Sequence, residues 1–494
     1  MTAELVPLLI VGTTLAASII NFLTPSRSGM ILFANLGAAA VTLGLVVVMI
    51  LGVLTGETFS ASVPFLPEAD LVLQADALSI VFATLSALLW FVTTIYAVGY
   101  LDPRDHRGRF FGFFAICISA TMGVALAGNL LTFLVFFELL TIATYPLVVH
   151  GGDEKSLRAG RIYLQYTLGG GAAFLLGTIG LYAFYGSGEF LVGGLLSGNR
   201  PPPPDAICIA LFVLMVGGVG VKAALIPLHG WLPIAMVAPA PVSALLHAVA
   251  VVKTGAFGIV RIIFDVFGVS LATELGLLIP LAALAAATIL WGSIRALSQD
   301  DLKRRLAYST VSQVSYIALG SALGNPQAAI GGMMHLIHQG VMKITLFFCA
   351  GSIAQRTGIK TISAMDGLGQ RMPATMAAFS IAAVGMIGLP PTAGFVTKFY
   401  VVSGGIADGS EWVLAVMLGS SALNAAYFLP ILHRVWFVDP PGGAGRAEAG
   451  WMLLGPPLFT AVLTLAVALF ATSVLSPLGW IEDLALQEFG FWLP

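Results

Sequence analysis

Four of the seven lysines in this sequence, Lys222, Lys253, Lys343 and Lys398, stand inside long apolar runs. Placing an ammonium at the middle of such a run costs at least ~2.5–3.5 kcal/mol in a membrane. A lysine near the end of a run escapes by reaching for the interface, but Lys253 stands near the centre of the run 241–266 and has no such route. One acid accompanies them, Glu138 in LLTFLVFFELLTIATYPL. Such a row is either a set of structural ion pairs or a path for protons or ions, and the path is the commoner use.

Histidine adds to the row. His335 and His338, three apart in MMHLIHQGVMKITLFFCAG, share one helix face. Lys343 lies five residues beyond His338, about 140° round the helix. His247 precedes Lys253 by six residues, and His229 stands in IPLHGWLP. With Lys343, these two are accessory candidates. A helical His pair can hold a metal, but no acid or thiol completes a site nearby, so no metal is expected. Each imidazole reads either as a core group bonded to a backbone carbonyl or as a relay, a task its unperturbed pKa near ~6.5 suits. Cys117, Cys208 and Cys349 lie in separate apolar runs and imply neither a metal site nor a disulfide. There is no phosphate-binding loop and no dinucleotide fingerprint. The chain is therefore expected to hold no catalytic site and no cofactor, and any coupled redox chemistry would belong to another protein of the assembly.

The elements that position these residues follow from composition. Of 494 residues, 58% are hydrophobic and 9% charged, against about a quarter charged in a soluble domain. The mean hydropathy is +0.97. A single soluble core stops growing near ~250–300 residues, so this much apolar surface must face lipid. Disorder and a disulfide scaffold are excluded. A net charge of -2 without a long basic tract gives no reason to expect a nucleic-acid partner.

A helix crosses the hydrocarbon with about 20 apolar residues. Runs of that kind fall near 5–23, 30–54, 76–101, 110–127, 129–150, 160–186, 206–235, 241–266, 273–295, 303–322, 326–354, 374–406, 411–436 and 451–476. They predict an all-α integral membrane protein of about fourteen transmembrane helices with no soluble domain. The first run follows Met-Thr-Ala-Glu without a basic flank and reads as a retained helix. The prolines at 201–204 read as a loop.

Charge tests the count. With the N-terminus outside, the inside loops hold Arg27, Arg104, Arg107, Arg109, Lys155, Arg158, Arg161, Arg295, Lys303, Arg304, Arg305, Arg356, Lys360, Arg371, Arg434 and Arg446, which is 16 of the 22 basic residues. Arg200 and Arg261 fall toward the other side, where Glu57, Glu68, Asp70, Asp408, Glu411, Glu482 and Asp483 collect. A miscounted helix would invert every later loop, so the positive-inside rule favours fourteen spans in a plasma membrane with both termini outside.

The seventh run, GVKAALIPLHGWLPIAM, and the twelfth, GMIGLPPTAGFVTKFYV, carry interior prolines that force a break. Lipid tolerates a broken helix only where protein or a watery cavity satisfies the freed groups. Lys222 precedes Pro227, Lys398 follows Pro391, and the two runs cross in opposite directions. That pattern predicts two inverted five-helix repeats around a midplane site. The expected divisions are 1–105 for the first three helices, 106–268 for the first repeat, 269–438 for the second and 439–494 for the last helix and tail.

Residues 70 to 436 resemble the antiporter-like membrane subunits shared by respiratory complex I, membrane-bound hydrogenases and multisubunit Mrp-type cation/proton antiporters. The resemblance rests on FFELLTIATYPLV, VKAALIPLHGWLPIAMVAPAPVSALLHAVAVVKTGAFGIVRI, DDLKRRLAYSTVSQVSY, HLIHQGVMKITLFFCAG and GLPPTAGFVTKFY. It implies that Glu138 is the fifth-helix glutamate that pairs with the broken-helix lysine, Lys222. Lys253 would be the central lysine, His335 and His338 the continuation, and Lys398 the ionisable group of the twelfth helix. Breaking the glutamate–lysine pair would send a proton along this line. The resemblance also implies other membrane subunits as partners, with protons and Na+ or K+ as the ions moved.

Three departures favour the D-type member of an Mrp antiporter. The long C-terminal extensions of the distal complex I subunit and of the large A-type Mrp subunit find no room before residue 494. Lys398 stands where the middle complex I subunit usually has glutamate. Ile234-Ala235-Met236 replaces an Asp-Ala-His segment common in complex I relatives. A complex I-type or hydrogenase assembly is the alternative, and a stand-alone solute transporter comes after it.

Overall fold

A computed structural model describes residues 3–24, 29–67, 69–101, 106–186, 188–198, 201–441, 445–473 and 476–490. Arg27, Glu68, Arg104 and Arg200, which enter the charge asymmetry, lie outside the described residues. The chain is a helical bundle, and each apolar run is helical over most of its length. Among the described residues, eleven helices are long and apolar enough to cross a membrane, from Leu5–Leu23 to Trp451–Leu469. The runs that fall short of that standard are 241–266, 303–322 and 374–406. The first is interrupted by π-helical turns at Leu245–Val249 and Ile262–Phe267. The second carries the polar sequence LKRRLAYSTVSQVSY. The third is split into Pro373–Ile387 and Ala393–Ala407. Polar groups and backbone breaks lower hydropathy in the same segments that hold the candidate residues.

Helix Pro326–Thr357 runs through the centre, buried without interruption from Ala328 to Ile353. It packs against Leu302–Ala322, both halves of the broken 374–406 run, Trp451–Leu469 and Ala77–Tyr100. Three of the helices that carry the site begin at side-chain caps. Asn129 accepts from the Thr132 N–H, Asp301 from Arg304, and Asn325 from Gln327 and Ala328, so donors that the helix leaves orphaned find partners.

The purely helical expectation needs correcting. Phe59–Leu66 and Ala69–Ala75 form an antiparallel hairpin, with Phe59 opposite Ala75 and Val63 opposite Leu71. Seven or eight residues are too few to cross a bilayer as a helix, and the alternation in Phe-Ser-Ala-Ser-Val favours a half-buried strand. Backbone and side-chain hydrogen bonds dock the hairpin on one end of the bundle, from Gln74 N to Leu126 O at 2.6 Å and from Asn129 Nδ2 to Asp70 O at 2.9 Å. A short helix, Pro477–Glu488, follows the last run and also closes on this end through Gly193 N to Glu488 Oε2, 2.9 Å. The opposite end holds a cavity of about 750 Å3 rimmed by Lys155, Asp301, Lys303, Arg304 and Lys360.

Candidate functional site

Helix Asp205–Ala223 ends one residue after Lys222, and Ala224 turns the chain into the left-handed region with φ 58°. Trp231 Nε1 donates to the Val221 carbonyl at 2.8 Å, satisfying one acceptor near the break. Lys222 is fully buried. Its ammonium donates to the Phe137 carbonyl and lies 3.3 Å from the centroid of the Phe137 ring, a carbonyl dipole and a π-face together replacing water. Glu138 is the next residue, and its Oε1 is buried without a hydrogen-bond partner. That oxygen rests on Gly171, where a Cβ would run into the carboxylate. The glycine run in helix Glu154–Tyr185 is thus the floor of the glutamate site as well as a close-packing surface. Glu138 and Lys222 are brought to adjacent positions but not into direct contact. The ion pairs among the described residues are Arg261 with Asp76 and Asp265, and Arg434 with Asp366.

Helix Val251–Arg261 packs on the Lys222 helix and holds Lys253 fully buried. Its ammonium donates to two carbonyls of the central helix, Leu336 at 2.7 Å and His335 at 3.4 Å. No acid faces it at ion-pair distance among the described residues.

His335 and His338 converge on one hydroxyl. Their Nδ1 atoms lie 3.2 Å and 2.8 Å from Thr397 Oγ1, and His335 Nε2 lies 3.1 Å from Gln313 Oε1. An amide oxygen only accepts, so His335 carries its proton on Nε2 and accepts from Thr397 through Nδ1. The Thr397 oxygen then accepts from His338 Nδ1–H. This leaves His338 Nε2 as a buried acceptor with no partner. A proton added there can displace the one on Nδ1 toward Thr397, and the hydroxyl proton toward His335.

Lys398 follows Thr397 in sequence. Its ammonium donates to the Ile387 carbonyl and to Ser421 Oγ, both at 2.6 Å, and lies 5.7 Å from the Tyr316 ring centroid. Gly388, at φ 87°, ends the first half of the broken helix, and a Cβ there would meet Lys398 Cδ at 2.6 Å. Bare backbone is what lets the lysine lie across the break.

The accessory candidates sit beside this line. Lys343 donates to the Leu306 carbonyl at 3.2 Å and to Ser309 Oγ. His247 stacks on Phe347 with ring centroids 4.5 Å apart, and neither of its ring nitrogens has a partner. His229 is half-buried, with Trp291 Nε1 donating to its Nε2 at 3.4 Å. No cluster of three or more His, Cys, Asp or Glu suited to a metal occurs among the described residues.

Thr397, Gln313, Tyr316 and Ser421 were not singled out by the sequence, although all stand in or near polar stretches of otherwise apolar runs. Gln339, fully buried with both amide atoms unpartnered, is a further one.

A polytopic helical membrane protein threaded by buried lysines and an imidazole–hydroxyl chain is of the ion-translocating class. The family follows from the sequence: residues 127–424 match the profile described as NADH:quinone oxidoreductase/Mrp antiporter, TM, and the chain belongs to that family. It is 38% identical to the N subunit of the NADH-quinone oxidoreductase of Desulforudis audaxviator, over 77% of this chain and 76% of the relative. It is 30% identical to the D-type Na(+)/H(+) antiporter subunit of Bacillus subtilis, over 85% of each. Its fold superposes on a chain of the Mrp complex from Dietzia sp. DQ12-45-1b with a TM-score of 0.89 at 23% identity, covering 99% of this chain and 98% of the other.

Proposed function

We propose that this chain is the proton-translocating subunit of a multisubunit Mrp-type monovalent cation/proton antiporter. The observation that carries this is the buried line from Glu138 and Lys222 through Lys253 to His338, Thr397, His335 and Lys398, whose ammoniums lean on carbonyls, hydroxyls and a π-face in place of carboxylates. Lysines held this way can release a proton; arginine in their place could not. The unpartnered Glu138 Oε1 and His338 Nε2 are the open valences through which protons would enter and leave the line. A second reading, a proton-pumping subunit of a complex I-type assembly, is favoured by the 38% identity to an N subunit of that kind of enzyme. Against it stand Lys398 and the segment Ile234-Ala235-Met236.

Fourteen crossings with both termini outside fit the helix order, because the cavity end carries Lys155, Lys303, Arg304 and Lys360 and would face the positive inside. Two inverted repeats, 106–268 and 269–438, fit the two breaks. Lys222 stands before a left-handed Ala224 and Pro227, and Lys398 stands after a left-handed Gly388 and Pro391. The partners are other membrane subunits of the complex.

The test is Lys253→Met and Lys253→Arg in the reconstituted complex. Both keep apolar bulk or charge, and both remove a proton that can be given up. A positioned proton carrier contributes roughly 10²-fold or more, so proton flux should fall by about that factor in each, with subunit levels unchanged. Full flux with arginine would make the position a fixed charge and overturn the path.

A further inference from the structure

Arg261 is the charged group that the line above does not use. It stands two turns after Lys253 on the same helix and is 2% exposed. Its Nη1 pairs with Asp76 Oδ2 at 2.7 Å and Asp265 Oδ2 at 3.1 Å, and its Nη2 donates to Asp76 Oδ1 and Ser79 Oγ at 2.9 Å and 2.8 Å. A third carboxyl reaches the cluster from the far end of the chain. Glu488, the last residue of helix Pro477–Glu488, is 5% exposed and accepts from Gly193 N–H through Oε2. Two buried atoms remain without partners, Glu488 Oε1 and Arg261 Nε.

Three carboxyls therefore surround one guanidinium at the hairpin end. One is neutralised by Arg261; Asp76 is partly exposed, whereas Asp265 and Glu488 are buried, and like charges held together in a buried site are relieved most simply by binding a proton. The groups facing Glu488 are Asp265, Arg261 and Asp76, with the Gly193 N–H. Burial first, and the charge on Asp265 next, push its carboxyl up to about 8. The unpartnered Oε1 is where that proton would reside.

Between Lys253 and this cluster stand two buried hydroxyls and a pair of aromatic rings. Ser79 on helix Ala77–Tyr100 touches Arg261, and the Phe82 and Phe257 rings are 4.7 Å apart. Farther along the same two helices stand Ser86 and Thr254, the latter next to Lys253. Both hydroxyls are buried and unpartnered. The Phe82–Phe257 pair is the apolar step between Thr254 and Ser79.

We propose that Glu488, with Asp265 and Asp76 around Arg261, is a proton-exchange station that takes a proton from the Lys253 helix and releases it at the hairpin face. One proton arrives on Glu488 Oε1 and one leaves from it; no electron moves and no other bond breaks. The proposal rests on the proton path above, and adds an exit that does not pass through Lys398.

The test uses the native complex and Glu488→Gln, which keeps an acceptor for Gly193 N–H while removing the titratable group. Infrared difference titration of the parent should show a protonated carboxyl lost with a midpoint near pH 8, absent in Glu488→Gln. The dependence of proton flux on hairpin-side pH should lose its component with a midpoint near pH 8 in Glu488→Gln, and Glu488→Asp should restore it. A parent without such a carboxyl, or a Glu488→Gln flux and profile identical to the parent, overturns the proposal. So does a midpoint that follows Na+ concentration in place of pH, which would make the cluster a cation site. Normal flux in Lys253→Met would sink the wider path yet leave the Glu488 titration readable, so the two failures are separable.

Discussion

Thr397 shows how much one hydroxyl can do in a dry interior. It donates to His335 and accepts from His338, and among the described residues nothing else connects the two rings by hydrogen bonds. Valine at 397 would keep the shape and remove both contacts, leaving two buried imidazole nitrogens unpaired at about 1–3 kcal/mol each. Proton flux in Thr397→Val should drop by roughly 10²-fold, and Thr397→Ser should recover most of it because serine keeps the same oxygen. Flux assays on assembled complex separate the outcomes: if valine works as well as threonine, protons do not pass between the histidines. The geometry around Glu138 makes the complementary point. A carboxyl that lacks an ion-pair partner among the described residues and lies on a glycine is held by space.

Among the elements, the short helix Pro477–Glu488 carries a buried carboxyl at its docking contact. Its Glu488 carboxyl sits near 8 when docked, against an ordinary 4.5. The docked state therefore favours the proton. Its contribution to docking is full below the ordinary value, declines as pH rises, and is gone above about 8. Amide hydrogen exchange of residues 477–488, corrected for intrinsic rate, should accelerate progressively as pH rises from the ordinary carboxylate value toward 8 and level off above it in the parent, and show no such rise in Glu488→Gln. An unchanged parent profile would mean that the docking does not depend on the Glu488 proton and rests on the apolar contacts of Leu478, Ile481, Leu484 and Ala485 with the Tyr400–Glu482 and Gly193–Glu488 hydrogen bonds. The broken helices have a different dependence. Their breaks are held by fixed features, a left-handed residue and a proline, and by lysines bonded to carbonyls at or near them.

Across the bundle, lines of polar and charged groups run through an interior whose outer helices are built for lipid. Leu5–Leu23, Gly29–Leu54, Trp412–Phe437 and Trp451–Leu469 expose much of their apolar surface, whereas the central helix exposes almost none. Some of that outer surface is where neighbouring membrane subunits would pack. Purified gently from its native membrane, the chain should come with other membrane subunits, and with no stoichiometric iron if the antiporter reading holds. Iron and quinone-linked activity in the same particle would place it in a redox-driven complex instead.

The class of protein was legible in the chain alone, because hydropathy, charge asymmetry and lysines in apolar runs are local properties that lipid imposes on any fold. Glu138, Lys222, Lys253, His335, His338 and Lys398 stood out as candidates too, since burying an ionisable group is costly enough to be noticed without a structure. Their partners were not. Whether an ammonium meets a carboxylate or a carbonyl depends on the rotation and register of helices distant in sequence, as with Lys253 at Leu336 and Lys222 at Phe137. Thr397 and Gln313 look ordinary until packing aims them at imidazoles. Arg261 read as an outward base and became a buried hub only because Asp76, Asp265 and Glu488, scattered along the chain, close around it.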